Sequence, residues 1–501
     1  MSISGIGSRS ALTMQALVAM RGQLDDLQRQ LGTGERADTY AGIGVNRGLT
    51  VSLNNQLAAL KSFDWSIEQV GARLTMAQTT LGQIDEIAHQ VKNSALQSNF
   101  SIDANGQTTD QRTAGDQLDL LVSLLNTSVG DRYLFSGKSL EQMPVESPAH
   151  ILDGDGARAG LKQIISERRQ ADLGANGLGR LLIPPSVGAT LSIGEDVAGS
   201  PFGLKLAAAT STLAGATVTG PAGVPPSVSI NLGLVNPAAG ESIKLSFTLP
   251  DGTTTDLTLT ATNSATPGPN EFAIGVDTTA TAANLQAALT TAVGSLAGSK
   301  LAAASAVTAG EEFFAADVNN PPMRVDGPPF DTATALIAGT SANSVTWYTG
   351  EAGAELARST ASVRIDSSIS VSYGMRANED ALRLAVQNIA VFAAVSYSTG
   401  DPDAEASYLA LKQRVAGGLA SVPGRQKIED IQADLAGVQT AMEAASGRHQ
   451  QSQTTLSDLL DGIRVARPEE VGAQILALQA NLQASLQTTA LLLRTSLVNY
   501  L

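Results

Sequence analysis

The sequence contains no cysteine, and this absence excludes disulfide bonds, thiolate metal sites and cysteine nucleophiles together. Aromatic residues make up only 4% of the 501 residues, so the hydrophobic cores must be built from Leu, Ile, Val and Ala. No apolar run approaches the ~18 residues of a membrane-spanning helix, and we expect none. The N-terminal stretch lacks a basic region followed by a continuous apolar segment, so we also expect no Sec-type signal peptide.

Basic residues are scarce as well, because 32 Lys and Arg stand against 47 Asp and Glu, for a net charge of -15. Phosphate backbones and anionic lipid would repel such a chain, so we expect neither a nucleic-acid nor a membrane partner. The three histidines, His89, His150 and His449, form no HxxxH or HExxH pair. We identify no catalytic, cofactor-binding or metal-binding residues, and the sequence therefore favours a structural protein without a cofactor over an enzyme.

Two glycine-containing segments resemble ligand-binding loops only superficially. Asp153–Gly156 lacks the further acidic ligands of a calcium loop, and we interpret it as a turn. Gly174–Gly179 follows no predicted strand and precedes no P-loop lysine, so it is interpreted as an ordinary loop.

The composition changes twice along the chain. Residues 1 to about 135 and those from about 375 onward are rich in Leu, Gln and either Asp or Ala, whereas about 140–350 is rich in Gly, Pro, Thr, Ala and Val. Within the middle part, alternating residues on both sides of Asp251-Gly252 predict a β-hairpin, and 282–296 is helix-like. The sequence therefore predicts helical ends around a β-prone insert.

Apolar residues recur with spacings of three and four, the pattern of helices that pack as coiled coils. The longest stretch covers five heptads with all ten seam positions apolar, and predicts a helix about 48 Å long. A second stretch follows Pro423-Gly424, and only His449 and Ser452 interrupt its register. The seam positions are Leu60, Phe63, Ile67, Val70, Leu74, Ala77, Leu81, Ile84, Ala88 and Val91, then Ile428, Ile431, Leu435, Val438, Met442, Ala445, Leu456, Leu459 and Ile463.

Shorter heptad stretches occupy both ends of the chain. A lone helix of this length is marginally stable in water, so each end needs a partner helix. For the long helices we favour the core of an intramolecular bundle, whereas for the terminal helices we favour an assembly surface. The expected assembly interface consists of Leu17, Met20, Leu24, Leu27, Leu31, Ile475, Leu478, Leu482, Leu486, Leu493, Leu497 and Tyr500.

The predicted fold class is mainly α with a β insert, in which a long coiled-coil helical bundle from both termini carries a β-rich outer domain. Five segments are expected along the chain. They are an N-terminal assembly helix and spoke (1–45), an N-terminal bundle segment (46–140), a β-rich variable outer insert (141–360), a C-terminal bundle segment with a hairpin and long helices (361–465), and a C-terminal assembly helix (466–501).

Several short segments resemble the bacterial flagellin superfamily. Leu27–Arg36 is similar to its "L…L-x-[ST]-G-x-[RK]" segment, although the following Ala37–Gly42 keeps only one Asp and the Ala-Gly of the usual acidic stretch. Arg132–Gly137, with the motif residues Tyr133, Leu134, Phe135 and Gly137, resembles the hook–filament junction branch (hook-associated protein 3). Gln479-Ala480 and Thr495–Leu501 are similar to that branch too. The resemblance covers about 1–140 and 360–501.

The resemblance implies an axial structural protein of the bacterial flagellum, exported through the flagellar type III channel and located outside the cell. Its partners would be copies of itself, a hook-associated adaptor protein, flagellin and an export chaperone. In the junction branch, the subunit joins hook to filament and is required for motility. The alternatives are flagellin, the filament subunit itself, and a secreted coiled-coil adhesin or needle-tip protein.

Overall fold

The computed structural model describes residues 4–97 and 99–498, with the side chains of 11–97 and 99–491. The chain forms two compact units. One contains the residues up to Val70, Val363–Val371 and the residues from Thr440 onward, and the other contains Gly71–Ser362 and Ser372–Gln439. The helices are α1 (Ser4–Thr33), α2 (Arg47–Gln97), α3 (Thr109–Leu125), α4 (Pro148–Asp153), α5 (Leu161–Leu173), α6 (Thr278–Leu296), α7 (Ala302–Phe314), α8 (Asp380–Ala394), α9 (Ala404–Gly418), α10 (Ile428–Arg464) and α11 (Pro468–Val498).

The strands are short and nearly all belong to the middle of the sequence. A π-helical turn, Ala297–Leu301, joins α6 to α7. The strands are β1 (Ser128–Val129), β2 (Arg132–Tyr133), β3 (Leu181–Leu182), β4 (Thr190–Glu195), β5 (Lys205–Ser211), β6 (Thr217–Ala222), β7 (Ser227–Asn231), β8 (Ser242–Thr248), β9 (Thr254–Thr262), β10 (Glu271–Ala273), β11 (Met323–Val325), β12 (Leu336–Ala338), β13 (Ser362–Arg364) and β14 (Ser370–Ser372).

These elements confirm the predicted fold class, with long helices at both ends of the sequence and a β-containing middle. Both long heptad stretches are helical throughout, as α2 and α10. On α2 the seam positions from Ile67 to Val91 are buried, and only Leu60 and Phe63 are partly exposed. Within the described residues, no helix is both long enough and apolar enough to cross a membrane.

Within the second unit, α2 and α10 run antiparallel. The Gln78 side chain donates to the Gln432 carbonyl at 2.7 Å, and the Gln439 amide lies 3.5 Å from the Thr75 hydroxyl. A lower residue number on α2 thus pairs with a higher one on α10, as antiparallel helices require. The heptad seams of both helices supply buried residues near these polar contacts, including Leu81 on α2 and Leu435 on α10. This pairing follows directly from the spacing of apolar residues in the sequence.

The insert contains two four-stranded sheets, with strand orders β3-β4-β7-β6 and β10-β9-β8-β5. Strands β8 and β9 form the predicted hairpin, with Thr248 opposite Thr254 and Gly252 at φ +75° in its turn. Alternate residues of β9 are buried, as expected for a sheet with one face on a core. Helix α6 packs on this core through Ala282, Leu285, Leu289 and Val293. The insert also contains α4, α5 and α7, which the sequence did not predict.

Candidate assembly surface

The turn after α1 determines how the two terminal helices meet. Helix α1 ends at Thr33, and Gly34 follows with φ +72°, the left-handed conformation that commonly closes a helix and that glycine adopts without strain. The Gly34 amide donates to the Gln30 carbonyl at 2.8 Å. The Thr33-Gly34 pair of the flagellin-like motif thus has a conformational role, because it ends the helix and turns the chain.

The same turn is hydrogen-bonded to the segment between α10 and α11. The Ala466 amide donates to the Gly34 carbonyl at 2.9 Å, and the Arg36 amide donates to the Arg464 carbonyl at 2.8 Å. Glu35 and Val465 form an isolated antiparallel bridge, and the side chains of Glu35 and Arg464 approach to 3.4 Å. We call residues 34–36 and 464–466 the clamp. Because the clamp joins the end of α1 to the start of α11, the two helices run antiparallel along each other and pack together.

A salt bridge holds the segment after the clamp against α1. The Arg29 guanidinium donates to Asp38 at 2.6 Å and to Asp26 at 3.1 Å. Asp38 is the one acidic residue of Ala37–Gly42, the segment that corresponds to the acidic stretch usual in the flagellin superfamily. The pair is partly exposed and therefore contributes little to stability, but it holds the segment after the clamp beside α1.

The predicted seam residues of α1 face α11 only in part. Leu17, Met20, Leu24 and Leu27 are half-buried, whereas Leu31 is exposed. Seven-residue periodicity therefore identifies the correct face of α1, but one partner helix does not cover that face completely.

On α11 the half-buried seam departs from the predicted register. Ile475, Leu478 and Leu482 lie on it, and it continues through Ser485 and Thr489. Leu486 lies beside the seam and is 54% exposed. The predicted residues Leu493 and Leu497 fall within α11, but their side chains, like Tyr500 as a whole, lie outside the described residues.

Large apolar side chains remain exposed on both terminal helices. Five of them are more than 60% exposed, namely Leu12, Met14 and Val18 on α1 and Leu476 and Leu491 on α11. A pair of helices in a monomer does not need such residues away from its seam, and a cluster of them is typical of a surface that contacts another protein. We call the surface of α1 and α11 outside the seam, which carries these residues and Leu486, the exposed apolar face of the terminal pair.

The heptad pattern predicted His449 only as an interruption of the α10 seam and gave it no role. This residue occupies the α10 seam and is 2% exposed, while Gln453 rather than Ser452 follows it on the buried side. Its Nδ1 lies 2.7 Å from an Asp64 oxygen, and the Gln453 amide donates to the other Asp64 oxygen at 2.6 Å. The apparent interruption of the heptad is a polar contact between α10 and α2. The single signal in the sequence was a histidine in an apolar position.

The motif residues Tyr133, Leu134, Phe135 and Gly137 serve the core of the second unit rather than a surface. Leu134 and Phe135 are buried, and the Phe135 carbonyl accepts from the Ala377 amide at 2.8 Å. The Gly137 amide donates to the Met375 carbonyl at 3.0 Å, at φ +64°. A Cβ on Gly137 would lie 2.5 Å from a Glu351 carboxylate oxygen, so this position needs glycine both for its conformation and for space.

Comparison with known protein families gives one match. Residues 8–139 match the family described as the bacterial flagellin N-terminal helical region. The matched part contains α1 from residue 8 onward together with α2, α3, β1 and β2, and therefore includes the clamp residues 34–36 and the Tyr133–Gly137 motif. No curated protein matches the chain. The match supports the superfamily indicated by the sequence motifs and does not distinguish a junction protein from a filament subunit.

Proposed function

We propose that this chain is a structural subunit of the bacterial flagellum that assembles with its own kind through the exposed apolar face of the paired terminal helices. The observation that carries the proposal is the similarity of residues 8–139 to the flagellin N-terminal helical region. In this chain, the helix α1 of that region ends at the clamp, which pairs it with α11. Of the twelve assembly residues predicted from the sequence, seven are half-buried in the seam between these two helices, and Leu31 and Leu486 are exposed. The side chains of Leu493 and Leu497, and the whole of Tyr500, lie outside the described residues.

A single subunit buries few of the side chains on its two terminal helices. No described residue of α1 between 11 and 33 is fully buried, and on α11 only Val471 is. An antiparallel pair with such a partly covered seam is marginally stable by itself. Neighbouring copies that cover Val18, Leu486 and their neighbours would bury apolar area at about 25 cal/mol per Å² and stabilise the pair on assembly.

The finer proposal is that the subunit joins hook to filament. It is supported by the similarity of Arg132–Gly137 and Thr495–Leu501 to the junction branch. In this role, the partners would be a hook-associated adaptor on one side and flagellin on the other, with an export chaperone before secretion. Export through a narrow channel requires an unfolded chain, and a marginally stable terminal pair suits that requirement.

Electron microscopy of a deletion strain tests the proposal and separates its two forms. For a junction protein, we expect hooks without filaments and flagellin released into the medium, because the filament has no base on which to polymerise. For the alternative, a filament subunit, hooks would also be bare but no other flagellin would be released. A deletion strain that swims normally with full-length filaments would contradict both forms and leave a secreted coiled-coil protein as the alternative.

A further inference from the structure

Three potential metal ligands converge where α2 meets the first turn of α10. Asp85 and His89 are four residues apart on α2 and therefore point from the same face of the helix. Glu429 is the second residue of α10. One ligand atom from each of the three side chains lies within 4.8 Å of the other two, and His89 Nε2 lies 3.7 Å from Asp85 Oδ2.

The charge of this cluster is not balanced by ordinary ion pairs. Arg425 and Lys427 line the same cavity, but within the described residues neither forms a salt bridge with Asp85 or Glu429. Carboxylate oxygens of Asp85 and Glu429 lie within 4.8 Å of each other. The two carboxylates therefore repel each other in the absence of a cation between them.

The donor set indicates which cation would fit. Calcium and magnesium prefer six or more oxygen ligands, whereas one imidazole and two carboxylates are typical of zinc with a water as fourth ligand. A tetrahedral zinc ion bonds to nitrogen and oxygen at about 2.0–2.2 Å, which places neighbouring ligand atoms about 3.3–3.5 Å apart. The 3.7 Å pair is close to that spacing. His89 is half-exposed and Glu429 is exposed, so small side-chain rotations can close the remaining distances.

We propose that Asp85, His89 and Glu429 bind a divalent transition-metal ion of the zinc class, which links the C-terminal third of α2 to the start of α10. The ion replaces the repulsion between two carboxylates with coordination bonds across the helix pair. Glu429 lies 340 residues from His89 in the sequence, so the motif spacing in the sequence could not reveal the site. The site belongs to the folded subunit and does not depend on the proposed assembly.

The test is titration calorimetry with zinc chloride on the tag-free full-length chain, after treatment with a chelator. Excess magnesium in the buffer suppresses non-specific binding to an acidic surface. We expect one saturable zinc site per chain. Since each ligand contributes directly to coordination, His89→Gln and Glu429→Gln should each weaken binding by at least about 10–100-fold.

His150→Gln is the matched control. His150 lies 3.1 Å from Glu146 and so forms a histidine–carboxylate pair four residues apart, but it belongs to no three-ligand group among the described residues. Zinc should bind this variant as it binds the wild type. Zinc should also raise the melting temperature of the wild type and of His150→Gln, but not that of His89→Gln. An absence of saturable binding, or equal affinity in wild type, His89→Gln and Glu429→Gln, would overturn the proposal.

Discussion

The contact between His449 and Asp64 provides a quantitative prediction about the first unit. With Asp64 ionised, its two oxygens can only accept, so His449 Nδ1 and the Gln453 amide both donate to it. Asp64→Ala removes both bonds and leaves a fully buried imidazole without its partner. Hydrogen bonds to a charged group contribute about 1.5–3 kcal/mol each. Because Asp64 itself is partly exposed, we expect a loss of about 2–4 kcal/mol rather than the full sum.

Hydrogen exchange followed by mass spectrometry measures this loss where it occurs, in peptides from the C-terminal half of α10. A loss of 2–4 kcal/mol corresponds to exchange about 30–700 times faster. Glu68→Ala is the matched control, since it replaces an exposed acidic residue one turn along α2. Adding His449→Leu to Asp64→Ala should recover part of the protection, because an apolar residue suits the seam position. The reasoning is refuted if Asp64→Ala exchanges no faster than Glu68→Ala.

Three further predictions concern single positions. Gly34→Ala should destabilise the clamp by about 1–2 kcal/mol through its positive φ alone, with faster exchange of α1 and α11, and Gly34→Asn should cost less because asparagine tolerates that conformation. Gly137→Ala should lower the melting temperature of the second unit further than Gly34→Ala lowers that of the first, because its Cβ also meets Glu351. Burial alone would raise the pKa of Asp251, but hydrogen bonds from Thr253 and Arg414 lower it overall. The ionised carboxylate therefore stabilises the fold above about pH 3.9, the pKa of an unfolded Asp, and this stabilisation is lost as the pH falls through the lower pKa of the folded state. Urea unfolding should therefore show Asp251→Asn less stable than wild type at pH 7, by about 1.5–3 kcal/mol, with a gap that narrows below pH 4.

Apolar periodicity predicted the long helices because each packs along a single extended seam. For α2 the pattern alone identified nearly every buried position, from Ile67 to Val91. It was wrong for Leu459, which is exposed while Leu460 is buried, because the seam had already passed through His449 and Gln453. Polar residues in a seam conceal its register from any count of apolar residues.

The insert was predicted only where local signals are strong. The Asp251-Gly252 turn and the alternation of β9 identified one hairpin. Helix α7 was missed because five of its thirteen residues are alanines and most of its residues are buried, so no polar face marks its period. The buried Arg168, which pairs with Asp172 at 3.0 Å and with Glu312 at 2.8 Å, joins α5 to α7 through residues 144 positions apart. No local pattern reveals a contact over that separation.

The sequence pattern placed most of the expected assembly residues on helices α1 and α11, but it did not distinguish buried from exposed positions on them. The sequence shows that Leu482 and Leu486 are both apolar and four residues apart, yet Leu482 is half-buried in the seam and Leu486 is exposed beside it. The difference depends on the antiparallel partner helix, whose position is fixed by the clamp. The two segments of the clamp are about 430 residues apart in the chain, as in the bridge between Glu35 and Val465. A substitution at Leu482 therefore tests folding and assembly together, whereas one at Leu486 or Val18 tests assembly with little effect on the seam.

The most direct test of the assembly surface is the retention of exported subunit on purified flagella from a deletion strain that expresses Val18→Asp or Leu486→Asp. Val276→Asp is the control, because Val276 is 97% exposed and belongs to the insert rather than to a terminal helix. We predict that the two helix variants are exported into the medium yet absent from flagella, since a charge in a buried contact between copies is costly. The control should be retained as the wild type is. Retention of both helix variants at the wild-type level would contradict the proposal that the subunit assembles through its paired terminal helices.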